Sequence, residues 1–302
     1  MFDLIIIGGG PAGMTASVYA ARKQMKTLII TKEFGGQLMW TMGIENYMGY
    51  QFITGPELMV KFEEQVQRFS TNIKYEEAIK LIVNKDGTFA VETDGGIYET
   101  KSVIIASGKR PRRLNVPGEE EFTGRGVTYC ATCDGPLFIK KNVAVIGGGN
   151  SAVQAAVELS SIAQIVYLIA RRDYIADPVI IDKMKEASNI VELKGYTTEG
   201  IYGQDFVEKL GIKCLADGQL TELEVHGVFV EIGLKPNSEF VTGVVDMNSN
   251  NEIIVDCRTC TGIPGLYAAG DVTNCPDKQI VIAAGDGSKA ALMAYDYLLR
   301  QK

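Results

Sequence analysis

The run TYCATCDG, residues 128–135, sets Cys130 and Cys133 three positions apart and puts Asp134 directly after the second thiol. Three kinds of chemistry fit that spacing. The pair is half of a metal site, or two packed thiols, or a redox centre. A four-cysteine zinc site needs a second pair, and Cys257 with Cys260 is another C-x-x-C. Its distance along the chain is far from zinc-ribbon spacing, so no metal is expected. Free cysteine also packs well in cores. A C-x-x-C at a helix start closes a small disulfide, and the helix dipole favours the thiolate. A leaving thiolate needs a proton. Asp134, if partly desolvated, is a candidate acid, and a helix-capping role is compatible with that. His226 is the single histidine. It lies in LEVHGVFVEIG, on or before an expected strand, and reads as structural.

A thiol pair needs a source of electrons, and the flanking elements suggest one. In DLIIIGGGPAGMTASVYAARKQMKTLIITKE, Leu4 to Ile7 predict a buried strand and Met14 to Arg22 a helix. Leu28 to Ile30 predict a second parallel strand. Gly8, Gly10 and Gly13 fit G-x-G-x-x-G, with Pro11 and Ala12 inside the turn. Glycines there admit a pyrophosphate against the backbone, and the helix N-terminus supplies N–H groups. Glu33 stands near where an acid binds a ribose hydroxyl. In NVAVIGGGNSAVQAAVELSSIAQIVYLIARRD, Val143 to Ile146 and Ile165 to Ile169 predict strands. Gly147, Gly149 and Ala152 fit G-x-G-x-x-A, with Asn150 and Ser151 between. That second unit ends in Arg171 and Arg172 rather than an acid, which suits a 2′-phosphate and so NADP. Glycine turns made for tight packing alone are the alternative. Two copies, each in a strand–turn–helix–strand frame, point to FAD and a nicotinamide nucleotide. Late in the chain, Leu266 to Ala268 predict a strand, Asp271 an exposed acid suited to a ribityl hydroxyl, and Gln279 to Ala284 a helix start.

The whole chain has ordinary globular composition: 302 residues, 46% hydrophobic and 22% charged, long enough for two domains. A net charge of −7 argues against a nucleic-acid surface. The start MFDLIIIGGG lacks the basic opening of a secretory signal, and no apolar run approaches a membrane span. A cytoplasmic protein is expected.

The order GGGPAG, GGQL, ENY, CATCD, GGGNSA, IGLKPN and AAGD resembles the low-molecular-weight thioredoxin reductases over essentially the whole chain. From CDGPLF onward it is also similar to the reductase part of the alkyl hydroperoxide reductase flavoprotein, whose N-terminal thioredoxin-like domains are not expected here. The resemblance implies an α/β fold of two Rossmann-like three-layer domains. A discontinuous FAD domain (1–112 and 237–302) would hold an inserted NAD(P)H domain (113–236) that carries the C-x-x-C. It implies further cofactor contacts from Gly36, Gln37, Asn46, Gly108, Gly233, Lys278, Gln279 and Ile280. It assigns Cys133 to face the flavin, Cys130 to attack the partner's disulfide, and Asp134 as the acid. It implies a homodimer that reduces thioredoxin or a thioredoxin-like protein; a glutaredoxin-like or peroxiredoxin-linked partner stays open.

Four features depart from the pattern. The family's His-Arg-Arg-x-x-x-Arg reads here from Ala170 to Ala176, keeping Arg171 and Arg172 but losing both outer residues. NADPH is the expected donor, with NADH or reduced ferredoxin as alternatives. Trp40 and Met48 replace smaller residues and a proline; Trp40 is expected to be packing rather than a flavin stack. Cys257 and Cys260, on a predicted strand running into a turn, are expected to be coincidental rather than an auxiliary dithiol. Because the disulfide and the nicotinamide site ride on one domain, that domain is expected to rotate about Lys109 to Gly118 and Gly233 to Asn237.

Overall fold

Leu4, Ile5, Ile6 and Ile7 are all buried, as a strand covered on both faces requires. The computed structural model describes all residues except Met42, Ser70 and Lys302, together with the Trp40 side chain. The sequence-based question about the Trp40 ring therefore lies outside the described residues. The chain divides into two units. One comprises Met1–Met39, Pro56–Arg110 and Lys235–Lys302; the other comprises Trp40–Gly55 and Pro111–Leu234.

In chain order, the first segment carries β1 (Phe2–Gly9), α1 (Pro11–Arg22), β2 (Thr27–Phe34), α2 (Gly55–Gln67), β3 (Asn72–Tyr75), β4 (Ala78–Val83), β5 (Phe89–Thr93), β6 (Ile97–Ile105) and the short β7 (Lys109–Pro111). The middle carries β8 (Val127–Thr128), α3 (Ala131–Asp134), β9 (Asn142–Ile146), α4 (Asn150–Ser160), β10 (Ile165–Ala170), α5 (Pro178–Glu186) and β11 (Ile190–Lys194). It continues through β12 (Tyr196–Gly203), β13 (Val207–Cys214), β14 (Leu220–Glu224), β15 (Gly227–Val230) and β16 (Leu234–Pro236). The chain returns with β17 (Leu266–Ala268) and α6 (Ile280–Arg300).

The first unit is built on a sheet ordered β3-β2-β1-β6-β5-β4, with β17 also paired to β6. Strands β1, β2, β3, β6 and β17 run parallel, while β4 and β5 form an antiparallel flank. Side chains alternate across β1. Leu4 and Ile6 pack with Met14, Ala16 and Ala290 of α1 and α6, whereas Ile5 and Ile7 pack with Phe89, Val103 and Leu266.

The second unit has a parallel sheet ordered β11-β10-β9-β15-β8. Val143, Val145 and Phe229 face α4 through Val153, Ala156 and Leu159. Ala144, Ile146 and Val228 face an antiparallel β12-β13-β14 layer through Ile201, Leu210 and Ile212. Both units are thus α/β and Rossmann-like, and both are discontinuous in sequence.

The predicted strands and helices form where expected. The helix expected at Gln279 to Ala284 begins at Ile280, with Gln279 as its N-cap, and runs to Arg300. One expectation is overturned. The segment leading to Cys257 and Cys260 is not a strand; isolated bridges at Ile253 and Cys260 flank a turn. The Asp256 carboxylate accepts the Arg258 and Cys260 N–H groups, each at 2.9 Å, and this local turn replaces ladder pairing. Among the described residues, no helix is long and apolar enough to cross a membrane.

Candidate active site

Strand β8 delivers the thiol pair. Two residues after Thr128, Cys130 adopts extended backbone (φ −144°) and caps α3, its sulfur accepting the Cys133 N–H at 3.2 Å. This is the helix-start geometry that the spacing predicts. Cys130 and Cys133 are joined as a disulfide, with Cα atoms 5.3 Å apart, a normal span for that bond. Both are half-buried, whereas Asp134 and Thr128 are buried. The Thr128 hydroxyl donates to the Asp134 carboxylate and accepts the Cys130 N–H at 3.3 Å. One hydroxyl therefore connects the acid to the backbone of the first cysteine.

The parallel sheet sets what stands beside this pair. Strand β15 lies between β9 and β8, with Val230 opposite Ile146 and Phe229 opposite Thr128. At their shared C-terminal edge, β9 runs into Gly147, β15 into Glu231, and β8 toward Cys130. Ligands in open α/β sheets bind at such edges. Glu231 was not anticipated from sequence. Its carboxylate accepts the Ala131 N–H, and its backbone N–H donates to Ile146 at 2.8 Å. Burial pushes its carboxyl up to about 7, opposed by the Ala131 N–H and reinforced by Glu158. The available signal was its place directly after VFV, at the end of a central strand. His226 precedes the same strand, so it stands at the opposite edge from the disulfide.

The two glycine turns repeat one another. A Cβ on Gly8 would overlap the Ala106 carbonyl, and one on Gly147 would overlap the Glu231 carbonyl. Both residues also have positive φ, 116° and 149°. Chain packing explains these two glycines. It does not explain Gly10 and Gly149, the N-caps of α1 and α4, where an added Cβ would meet nothing within 4 Å. Neither helix start has a side-chain cap. Open space in front of uncapped N–H groups is what a pyrophosphate needs.

Other anticipated residues sort by unit. In the first, Gly36 and Gly108 have positive φ and, like Gly10, open space at the Cβ position. Pro11 and Ala12 open α1 behind Gly10, and Gly13 packs against the Gly8 carbonyl. Gln37 donates to Asp271 at 3.2 Å, and burial raises the Asp271 carboxyl. Lys278 donates to the Thr273 carbonyl at 2.7 Å and pairs at 3.4 Å with Glu252, which also binds Lys109. Burial and then Lys109 hold the Lys278 ammonium below its usual range. Gln279 and Ile280 open α6, and Glu33 is exposed near the end of β2.

In the second unit, Ala152 is buried under Gly147, and exposed Ser151 follows Asn150 at the start of α4. Asn150 exchanges hydrogen bonds with Asp177 at 3.0 and 2.7 Å. Arg171 and Arg172 are exposed just past β10. Gly233 accepts the Arg112 N–H at 3.0 Å. Asn46 lies in the segment Trp40–Gly55, which groups with this second unit rather than with Gln37 and Asp271.

Comparison with known proteins agrees with this arrangement. Residues 2–290 match the pyridine nucleotide-disulphide oxidoreductase family. The chain is 44% identical, over 99% of its length, to an alkyl hydroperoxide reductase protein of Xanthomonas campestris pv. phaseoli. It is 41% identical, again over 99%, to an NADH dehydrogenase of Bacillus subtilis (strain 168). It spans only 57% and 59% of those two relatives. The solved thioredoxin reductase of Streptococcus pyogenes MGAS5005 superposes with a TM-score of 0.94 at 39% identity, with 99% of each chain covered. With both glycine turns and the disulfide inside the matched region, the chain belongs to the pyridine nucleotide-disulphide oxidoreductase family.

Proposed function

We propose that this chain is a disulfide reductase of the thioredoxin reductase type, taking two electrons from NADPH through FAD to Cys130–Cys133 and on to a thioredoxin-like protein. The observation that carries this is the Cys130–Cys133 disulfide, capped onto α3 at the same sheet edge as the Gly147 turn. In this reading, residues 1–112 and 237–302 hold the flavin and residues 113–236 the nicotinamide nucleotide.

The residues fit those groups. Gly10, Gly36 and Gly108 leave space that the chain does not fill, and the half-buried Gln37–Asp271 pair supplies polar atoms for a ribityl chain. The uncapped start of α4 behind Gly149 receives the nicotinamide nucleotide's pyrophosphate. Arg171 and Arg172 offer two guanidinium groups to a 2′-phosphate. Bound FAD supplies the relay that converts hydride transfer into two-electron reduction of a disulfide.

The thiols complete the reaction. Opening the disulfide leaves Cys130 as the attacking thiolate, stabilised by the Cys133 N–H. Asp134, held by Thr128, keeps the proton for the sulfur that departs. Cys130 attacks the acceptor's disulfide, one acceptor sulfur leaves as a thiolate, and a mixed disulfide forms. Cys133 then attacks that bond, expels the acceptor's second thiolate and restores the pair.

The likeness to alkyl hydroperoxide reductase favours a second reading, in which the acceptor serves a peroxide-reducing partner. Anaerobic reduction of the purified protein with NADPH, NADH or reduced ferredoxin tests the donor. Flavin bleaching by NADPH at the lowest concentration is expected. Bleaching by ferredoxin alone overturns the nicotinamide assignment. Turnover with thioredoxin or with a peroxiredoxin-linked disulfide protein separates the acceptors.

A further inference from the structure

The disulfide and the nucleotide turn share a neighbour that neither glycine motif nor thiol motif contains. Glu231 follows β15, the strand inserted between the one ending at Gly147 and the one leading to Cys130. Three elements converge on it. The Ala131 N–H of α3, next to the capping cysteine, and the Glu158 charge of α4 act on its carboxyl in opposite directions, and its backbone carbonyl lies against Gly147 in the turn after β9. Glu158 in turn accepts from Thr132 at 3.4 Å and from Gln154 at 3.0 Å. A carboxylate so placed acts on the same helix start whose Cys133 N–H the Cys130 sulfur accepts.

We propose that Glu231 is a positioning residue that binds a proton when Cys130–Cys133 is reduced, and so links the redox equilibrium of the pair to pH. The inference rests on the pair being the redox couple of the proposed reductase. Reduction adds two electrons and breaks the S–S bond. One sulfur takes a proton and the other remains a thiolate near neutral pH. That new negative charge, near the first residue of α3, disfavours a second one on Glu231. The carboxylate therefore takes up the second proton, and the neutral acid no longer competes for the helix-start N–H groups. The nicotinamide nucleotide supplies the electrons in turnover; glutathione supplies them in the test.

The direction in pH follows from the half-buried Glu231 carboxyl, which desolvation pushes up to about 7. Below that range Glu231 is neutral in both redox states and adds no pH dependence. Above it the oxidised form carries the charge, and reduction must either draw in a proton or place two charges together. High pH thus makes the native pair harder to reduce than a pair lacking this carboxylate.

The test is equilibration of the holoenzyme with a glutathione redox buffer between pH 6 and pH 9. Acid quenching, alkylation and mass analysis of the peptide containing Cys130 and Cys133 then give its reduced fraction. Glu231→Gln keeps an oxygen for the Ala131 N–H and removes the charge. Relative to wild type, its reduced-to-oxidised ratio should be unchanged at pH 6. It should rise to about tenfold higher at pH 8.5, the equivalent of a one-unit displacement of one pKa. Glu231→Asp should follow wild type. Glu158→Gln removes a charge that adds to burial in raising Glu231 and should move the onset of the pH dependence to lower pH. A Glu231→Gln curve that tracks wild type at every pH, or is offset equally at every pH, overturns the proposal and leaves the reductase reading intact. A wild-type pair that does not exchange with glutathione at all overturns the reductase reading and this proposal together.

Discussion

The chain contains two C-x-x-C pairs, one in each unit, and their surroundings have opposite electrostatics. At Cys130 and Cys133 the backbone N–H of the second cysteine points to the sulfur of the first. The acid follows the pair, is buried, and is tied to Thr128. At Cys257 and Cys260 the acid comes first. Asp256 takes the N–H groups of Arg258 and Cys260, so the donors that would stabilise a thiolate are given to a carboxylate. Burial, with that same carboxylate, pushes the Cys260 thiol up. Between the two cysteines Thr259 sits at φ +67°, a left-handed conformation that costs a β-branched residue about 1–3 kcal/mol. Both thiols are free. Spacing alone therefore does not make a redox centre; the atom that receives the neighbouring N–H groups does.

The comparison breaks most sharply if the first pair is dispensable. Cys130→Ser and Cys133→Ser should each abolish reduction of a protein disulfide, because the first removes the sulfur that attacks the acceptor and the second the sulfur that resolves the mixed disulfide, and neither variant can form the internal pair that receives the electrons. Reduction of an artificial electron acceptor by the nicotinamide nucleotide should survive, since it bypasses the pair. Steady-state assays with both acceptors measure this. Undiminished delivery to the protein acceptor would remove Cys130–Cys133 from the mechanism.

The acid belonging to each pair gives the next contrast. Asp134→Asn should retain the Thr128 contact while losing the proton, and should slow thiol–disulfide exchange by about 10²–10⁴-fold, the usual range for a general acid. Stopped-flow reduction of the acceptor reads this, with the rate of nicotinamide oxidation expected to hold.

What was legible beforehand divides along the same line. Cys130, Cys133 and Asp134 are adjacent in the chain, and their chemistry depends on local geometry: a cap, a short helix and a buried hydroxyl. The glycines of both turns were legible because the strand–turn–helix frame that spaces them is local, although the carbonyls that crowd Gly8 and Gly147 come from distant Ala106 and Glu231. Glu231 was not, because its place beside the disulfide depends on β15 lying between β9 and β8. Strand order is a property of the whole sheet, and no spacing near Glu231 encodes it. The same limit applies to Asn46, whose segment groups with the second unit through contacts distant in sequence. At Cys257 and Cys260 the expected strand failed for a local reason. The β-branched run of EIIVD reads as extended, but the Asp256 side chain captures the next backbone donors and turns the chain.

The second pair can also be made to resemble the first in one respect. Asp256→Ala frees the Arg258 and Cys260 N–H groups and removes a charge that, after burial, pushes the Cys260 thiol up. Alkylation of Cys260 by iodoacetamide at pH 8 should accelerate several-fold. The lost turn contacts should cost about 1 kcal/mol each in stability. An unchanged alkylation rate would mean that burial alone suppresses this thiol, and the contrast between the pairs would then rest on exposure rather than on charge.

The smallest effect is expected for Cys257→Ser combined with Cys260→Ser. Cysteine and serine have similar volume, Cys257 is exposed, and the Arg258 carbonyl can accept from a serine hydroxyl as it does from the Cys260 thiol at 3.9 Å. The turn is held by backbone N–H groups that the substitution leaves in place. Turnover with the protein acceptor and the melting temperature should both match wild type. A loss of turnover with normal flavin content and normal melting would give this surface pair a part in electron delivery despite its unfavourable electrostatics. The rule drawn from the two pairs, that N–H groups directed at sulfur mark the working dithiol, would then fail in this chain.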